Sequence, residues 1–236
     1  YWRLRHVSSE GGKSAWSDIT YFDTPLVQGT FSKVATRMAM IDYRAQDSNV
    51  NGNVSAMFWP NTGASNGING GIILCRFNLD VFGGKGAEAG GDALFNVRWQ
   101  FVDENFGAIN FSAYPLLAPW DENLVTWCTY VGPGPDLTNV FGETFGSQQV
   151  ISPGSPGGEN GTTWTVPFDV VQMWLDNTAS NFGLALYPDQ ANANAIMHGK
   201  LAPATAPKFT AEIIPEPISI ALVGLGILLG LRRLHR

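Results

Sequence analysis

The sequence predicts an all-β fold, a jelly-roll-like antiparallel β-sandwich with one short helix, followed by a single C-terminal transmembrane helix. Three observations predict it. Glycine and proline, 27 and 14 of the 236 residues, punctuate the chain too often for a helical bundle. Apolar and polar side chains alternate over several short runs, the period of a strand with one buried face. The last apolar run carries no charge and ends in arginines. A 44% hydrophobic and 12% aromatic composition supports a sizeable core, and a 14% charged share excludes disorder throughout. The length fits one globular domain with appendages. A net charge of −6 argues against a nucleic-acid partner.

Taken in order, residues 1–29 form an N-terminal segment that ends before the main run of strands. Residue 1 is Tyr, and no charged segment followed by an apolar one precedes the domain, so the chain is expected to have lost its true start and signal peptide. Strand candidates in the main domain, 30–214, begin with Val54 to Trp59 and Ile72 to Leu79. The clearest follows: Ala93, Phe95, Val97, Trp99 and Phe101 share one face, with Asn96, Arg98 and Gln100 on the other. Ile109, Phe111 and Ala113 repeat the pattern, as do Trp164, Val166 and Phe168. Leu124 to Tyr130, Phe182 to Tyr187 and Phe209 to Ile214 complete the strand set. The one helix signal is Val170, Val171, Trp174 and Leu175 at three- and four-residue spacing, with Asp169 as the expected cap. The glycine- and proline-rich stretches 133–135 and 152–161 read as loops.

The end of the chain, 215–236, is the most informative. Pro215, Glu216 and Pro217 precede 14 uncharged residues, Ile218 to Leu231, and then Arg232, Arg233, Leu234, His235 and Arg236. As a helix, 218–231 would span about 21 Å, short of the roughly 30 Å hydrocarbon core, so arginine snorkelling and local thinning must supply the rest. A core helix would not end in a basic cluster. The arginines stay on the cytoplasmic side, which puts the preceding domain across the membrane.

The chemistry expected of the domain is binding rather than catalysis. The three histidines (His6, His198, His235) stand far apart, only His198 lies inside the domain, and two cysteines cannot complete a four-ligand zinc site, so no catalytic or metal-ligating residue is assigned. Asp121 and Glu122 would point to opposite faces of a strand, which suits local hydrogen bonds that fix the entry to Val125 better than a carboxylate pair. Those oxygens, or those of Asp103 and Glu104, could hold a structural calcium, although EF-hand spacing is absent. Cys75 and Cys128 are either a disulfide or two small buried hydrophobes. Sugar rings stack on exposed aromatic faces, and with Trp99, Trp120, Trp127, Trp164 and Trp174 assigned to the core, Trp59, Tyr114 and Tyr130 are the candidate ligand-binding residues.

Three resemblances extend this reading. The Pro215-Glu216-Pro217 triplet, the apolar helix and the terminal arginines together resemble the PEP-CTERM sorting signal. That resemblance implies export by a Gram-negative bacterium, anchoring in the inner membrane, recognition and tail removal by an exosortase, and a final place at the cell surface or in the extracellular matrix. Ile73 to Leu79, Trp120-Asp121-Glu122-Asn123-Leu124-Val125-Thr126-Trp127, Val170 to Trp174, Asn181 to Leu186 and Ala206 to Ala211 resemble, in order, the motifs of the DNRLRE family. Asn78 stands where that family usually has an acidic residue. The family is a β-sandwich module related to carbohydrate-binding modules, which implies extracellular polysaccharide as partner. Tyr1 to Arg5, Ala15 to Ile19 and Tyr21-Phe22 resemble the closing strands of a discoidin-like domain, and by their residues alone are equally an N-terminal strand pair. The function expected is non-catalytic glycan binding or adhesion. A structural spacer without ligand is the main alternative, and a polysaccharide-degrading enzyme a more distant one.

Overall fold

The computed structural model describes residues 28–51, 56–58, 71–82, 86–101, 108–134, 136–151, 159–188, 195–202 and 204–215. Among them the chain forms β1 (Gly29–Val34), β2 (Arg37–Asp42), β3 (Val50–Asn51), β4 (Ala56–Phe58), β5 (Gly71–Arg76), β6 (Ala87–Ala89), β7 (Ala93–Phe101) and β8 (Ile109–Pro115). After these come α1 (Trp127–Tyr130), β9 (Ser147–Val150), β10 (Glu159–Val166), α2 (Phe168–Asp176), β11 (Leu184–Pro188), β12 (Ala195–His198) and β13 (Lys208–Pro215). All pairings are antiparallel and fall into two sheets packed as a β-sandwich. The six-stranded sheet runs β3-β2-β5-β11-β8-β9. In the seven-stranded sheet β7 pairs with β10 on one side and with β13 and β12 on the other, while β13 also pairs with β1 and β6.

Two kinds of strand explain the layers. In β7, Ala93, Phe95, Val97 and Trp99 are buried while Leu94 and Arg98 are exposed, so the alternation marks a sheet with one face in water. In β2 and β5 nearly every residue is buried, the mark of a strand covered on both faces. Met38, Met40, Ile73 and Cys75 enter the core between the sheets, whereas Ala39, Ile41, Ile72 and Leu74 face a second core outside. The stretch from Leu116 to Phe145, which links β8 to β9, forms a strap over that outer face and seats Trp120, Val125, Trp127 and Phe141 there. Burying one such aromatic contributes about 1.5–3 kcal/mol.

The structure corrects three local expectations. Leu124 to Tyr130 is not a strand: Thr126 caps α1, its side chain accepting from the Thr129 N–H while Thr129 Oγ1 accepts from the Thr126 N–H. A second short helix therefore joins the one expected. Phe168 is not an inward strand residue but the exposed first residue of α2. That helix is also not capped by Asp169. Its N-cap is Pro167, and Asp92 Oδ1, from the turn before β7, accepts from the Phe168 N–H at 2.8 Å.

No helix among the described residues is long and apolar enough to cross a membrane. The tail from Glu216 to Arg236, including Pro217, Arg232 and Arg233, the discoidin-like stretch, Asp103, Glu104 and Trp59 lie outside the described residues. Pro215 is the last residue of β13 and pairs with Ala87.

Candidate functional site

The strap is fixed by polar side chains that reach beneath it. Glu122 is buried and accepts from the Met38 N–H (2.8 Å) and from Lys200 Nζ (2.5 Å), and Lys200 also donates to the Thr36 carbonyl. Asp121 turns outward and accepts from the Asn123 N–H. The acidic pair thus has the local role its sequence suggests, one member holding the turn and the other anchoring it to β2. Asn49 donates to the carbonyls of Glu122 and Val125, and the Trp120 indole N–H donates to the Phe182 carbonyl at 2.8 Å. The next residue, Gly183, lets the chain lie close against the end of β5. Its φ is +99°, and a Cβ there would lie 2.1 Å from the Cys75 carbonyl oxygen.

Where the strap returns to the sheet it opens a groove of about 290 Å³ between Tyr114 on β8, Tyr187 on β11, and Leu137, Thr138, Phe141 and Gly142 on the strap. Phe141 is held by a bridge to Leu116, and the next residue, Gly142, donates its N–H to the Pro115 carbonyl. The Phe141 ring lies nearly parallel to Tyr114 (4.8 Å, 18°) and steeply inclined to Tyr187 (6.5 Å, 60°). Both tyrosines are partly exposed. Beside them Asp136 accepts from the N–H and hydroxyl of Thr138, and these hydrogen bonds hold its carboxyl below the usual carboxylate range. The groove therefore joins aromatic faces, hydroxyls and a nearby ionised carboxylate, the set that packs against the C–H face of a sugar and bonds its hydroxyls.

A larger cavity of about 570 Å³ lies beside β1. Its rings are engaged with each other and with a cation: Phe31 and Phe82 meet edge-on at 4.7 Å, and Lys33 Nζ sits 5.6 Å from the Phe31 centroid. The groove is the better candidate.

Of the residues expected at a ligand surface, Tyr114 lines the groove. Tyr130 does not. Its ring packs into the outer core, its hydroxyl donates to the Ala118 carbonyl at 3.0 Å, and burial pushes its phenol well above the usual range. Cys75 and Cys128 are free thiols that the six-stranded sheet separates, Cys75 in the inner core and Cys128 on the strap with its thiol on the Gln46 amide oxygen. Burial pushes the Cys75 thiol up, and partial desolvation with the neighbouring Asp47 raises that of Cys128. Trp99, Trp120, Trp127, Trp164 and Trp174 are all buried, as their spacing suggests. Among the described residues no three His, Cys, Asp or Glu side chains cluster as metal ligands. Tyr187 was not among the candidates, although it has the strand parity of Ala185, which faces outward opposite Tyr114.

The architecture defines a class: a two-sheet antiparallel β-sandwich whose outer strap carries an aromatic groove. Comparison with known protein families finds no matching family model, and no curated protein matches. Among solved structures, the chain is similar to the K1 cleaved adhesin domain of Lys-gingipain from Porphyromonas gingivalis W83, at 13% identity over 78% of this chain and 96% of that one. The TM-score is 0.27, a likeness too slight to transfer function.

Proposed function

We propose that the chain is an exported, non-catalytic β-sandwich of jelly-roll type that binds glycan at the cell surface or in the extracellular matrix. The observation that carries this reading is the groove between Tyr114 and Tyr187, where ring faces and hydroxyls converge on strands held rigid by two cores. The DNRLRE-like order of motifs accords with it. So does the PEP-CTERM-like tail, through which an exosortase would release the protein from the inner membrane. Neither a cofactor nor a catalytic residue has a part in this function, and a structural calcium is left to metal analysis of the purified protein.

The direct test is a glycan array probed with the chain and with Tyr114→Ala. Binding that the substitution reduces about tenfold, the loss of one aromatic stacking contact with its buried area, supports the groove. Binding to no neutral or acidic glycan would leave a structural spacer as the function. New reducing or unsaturated ends after incubation with polysaccharide would make the protein an enzyme. Sorting is tested separately, by the mass of the protein in a host with and without its exosortase; the tail retained in both would refute it.

A further inference from the structure

We propose that the groove between Tyr114 and Tyr187 selects amino sugars, taking a glucosamine polymer with free, protonated amines in preference to its N-acetylated form and to uronic-acid polymers. The inference rests on the reading of the groove as a glycan site and adds to it the charge of the sugar. Ring stacking alone does not make that choice, because these sugars present similar C–H faces to an aromatic ring. The choice falls to the charges around the rings.

At the rim of the groove the charge is negative. Asp136 Oδ1 is 2.6 Å from the hydroxyl of Thr138, which lines the groove. Both bonds from Thr138, through its N–H and its hydroxyl, end on that one oxygen. Oδ2 takes no hydrogen bond from any described residue, and the side chain is exposed, so a charged acceptor stays open to a ligand. The bonds that lower the Asp136 carboxyl also keep it ionised wherever a sugar amine is protonated. A second carboxylate, Glu143, is exposed and follows the lining residue Gly142.

The cations of this side of the sandwich are spent or distant. The strap, Leu116 to Phe145, contains no lysine or arginine. Lys200, which reaches beneath it, is bound to Glu122 and to the Thr36 carbonyl. On the strands of the six-stranded sheet the basic residues are Arg37 and Arg76, which stand opposite each other on β2 and β5. Tyr114 is opposite Ala185, and Ala185 is opposite Leu74. Arg76, two residues beyond Leu74, is therefore two strands across from Tyr114 and about 12 Å away. Arg44 follows β2 in the turn Tyr43–Ala45, with β5 between β2 and β11. A separation of 12 Å exceeds the roughly 8 Å Debye length at physiological salt, whereas Asp136 is bonded to the groove wall itself. An ammonium group gains from Asp136 and from the negative faces of the tyrosine rings, and a uronate carboxylate is repelled by both. An N-acetyl group brings no charge to pair.

The test measures binding of the full chain, in detergent micelles, to glucosamine, N-acetylglucosamine and galacturonate oligomers of equal length at physiological salt. Both glucosamine forms should bind, the free amine about fivefold more tightly than the acetylated form, and galacturonate should bind least. Asp136→Asn should bring the ratio of the two glucosamine affinities close to one, and added sodium chloride should narrow it. Asp169→Asn, at an exposed position on α2, removes the same charge away from the groove and should leave the ratio as it is. A lysine peptide of equal charge tests a basic protein segment as the alternative occupant. The proposal is overturned by equal binding of the two glucosamine forms, or by a preference that survives Asp136→Asn or disappears equally in Asp169→Asn; in these cases the groove still stands as a glycan site. A lysine peptide held as tightly as the amine oligomer would also overturn it. So would failure to bind either glucosamine form, and the glycan array with Tyr114→Ala then decides whether the groove takes another glycan or none.

Discussion

Replacing Glu122 with Ala should loosen the strap, and the size of the effect follows from what that carboxylate holds. Its two oxygens accept from the Met38 N–H and from Lys200 Nζ, with the two side chains only 11% and 14% exposed. Leaving a buried N–H without an acceptor costs about 1–3 kcal/mol. Removing one partner of a buried ion pair costs about 3–5 kcal/mol. The two overlap because one carboxylate serves both, and Lys200 keeps the Thr36 carbonyl at 3.3 Å, so the expected loss is about 3–4 kcal/mol. In a domain of this size that lowers the thermal midpoint by roughly 6–16 °C. Glu122→Gln keeps an oxygen for Met38 and should cost less, about 1–2 kcal/mol. Combined with Lys200→Met it should cost less than the two single losses together, since no buried charge is then left alone. Denaturant unfolding gives the energies, and amide exchange at Met38 reports the local opening. A loss below about 1 kcal/mol in Glu122→Ala, or simple additivity in the cycle, would refute the anchor.

Other consequences are as direct. Gly183→Ala places a Cβ against the Cys75 carbonyl at a φ of +99°, and should destabilise by more than about 2 kcal/mol in thermal melting. Trp120→Phe orphans the Phe182 carbonyl and should cost about 1–2 kcal/mol, with loss of near-ultraviolet ellipticity. In the native protein a thiol reagent should label Cys128 slowly and Cys75 not at all, and both after denaturation; rapid labelling of Cys75 would contradict its place in the inner core. Folding raises the pKa of Cys75 and of Tyr130, so their stabilising contribution is complete below the ordinary values of 9.0 and 10.0 and is lost as pH climbs beyond them. Unfolding followed against pH should show that fall, and Tyr130→Phe should make it shallower.

Legibility in the sequence followed the layering. β7 matches its expected bounds, Ala93–Phe101, because one of its faces meets water and the alternation is undisturbed. β8, β11 and β13 were found for related reasons, with ends shifted by one or two residues. The strap was misread because burial alone does not distinguish strand from helix. Val125 and Trp127 alternate with Thr126 and Cys128, yet both are buried against a sheet from a segment that Thr126 turns into a helix. Tyr130 looked like a loop aromatic because the second core beneath it is made from strands far away in the chain. Lys200 carried no sign of its partner, since Glu122 is 78 positions earlier and only the fold brings them together.

β13 also determines how the body would respond to a pull. It pairs along Lys208–Ile213 with β1 and, on its other edge, with β7 and then β6. Tension applied to the chain beyond Pro215 is directed along this strand's axis, so its ladders are loaded in shear and must yield together instead of opening rung by rung. A molecule pulled at that end would resist with a strand paired along both edges.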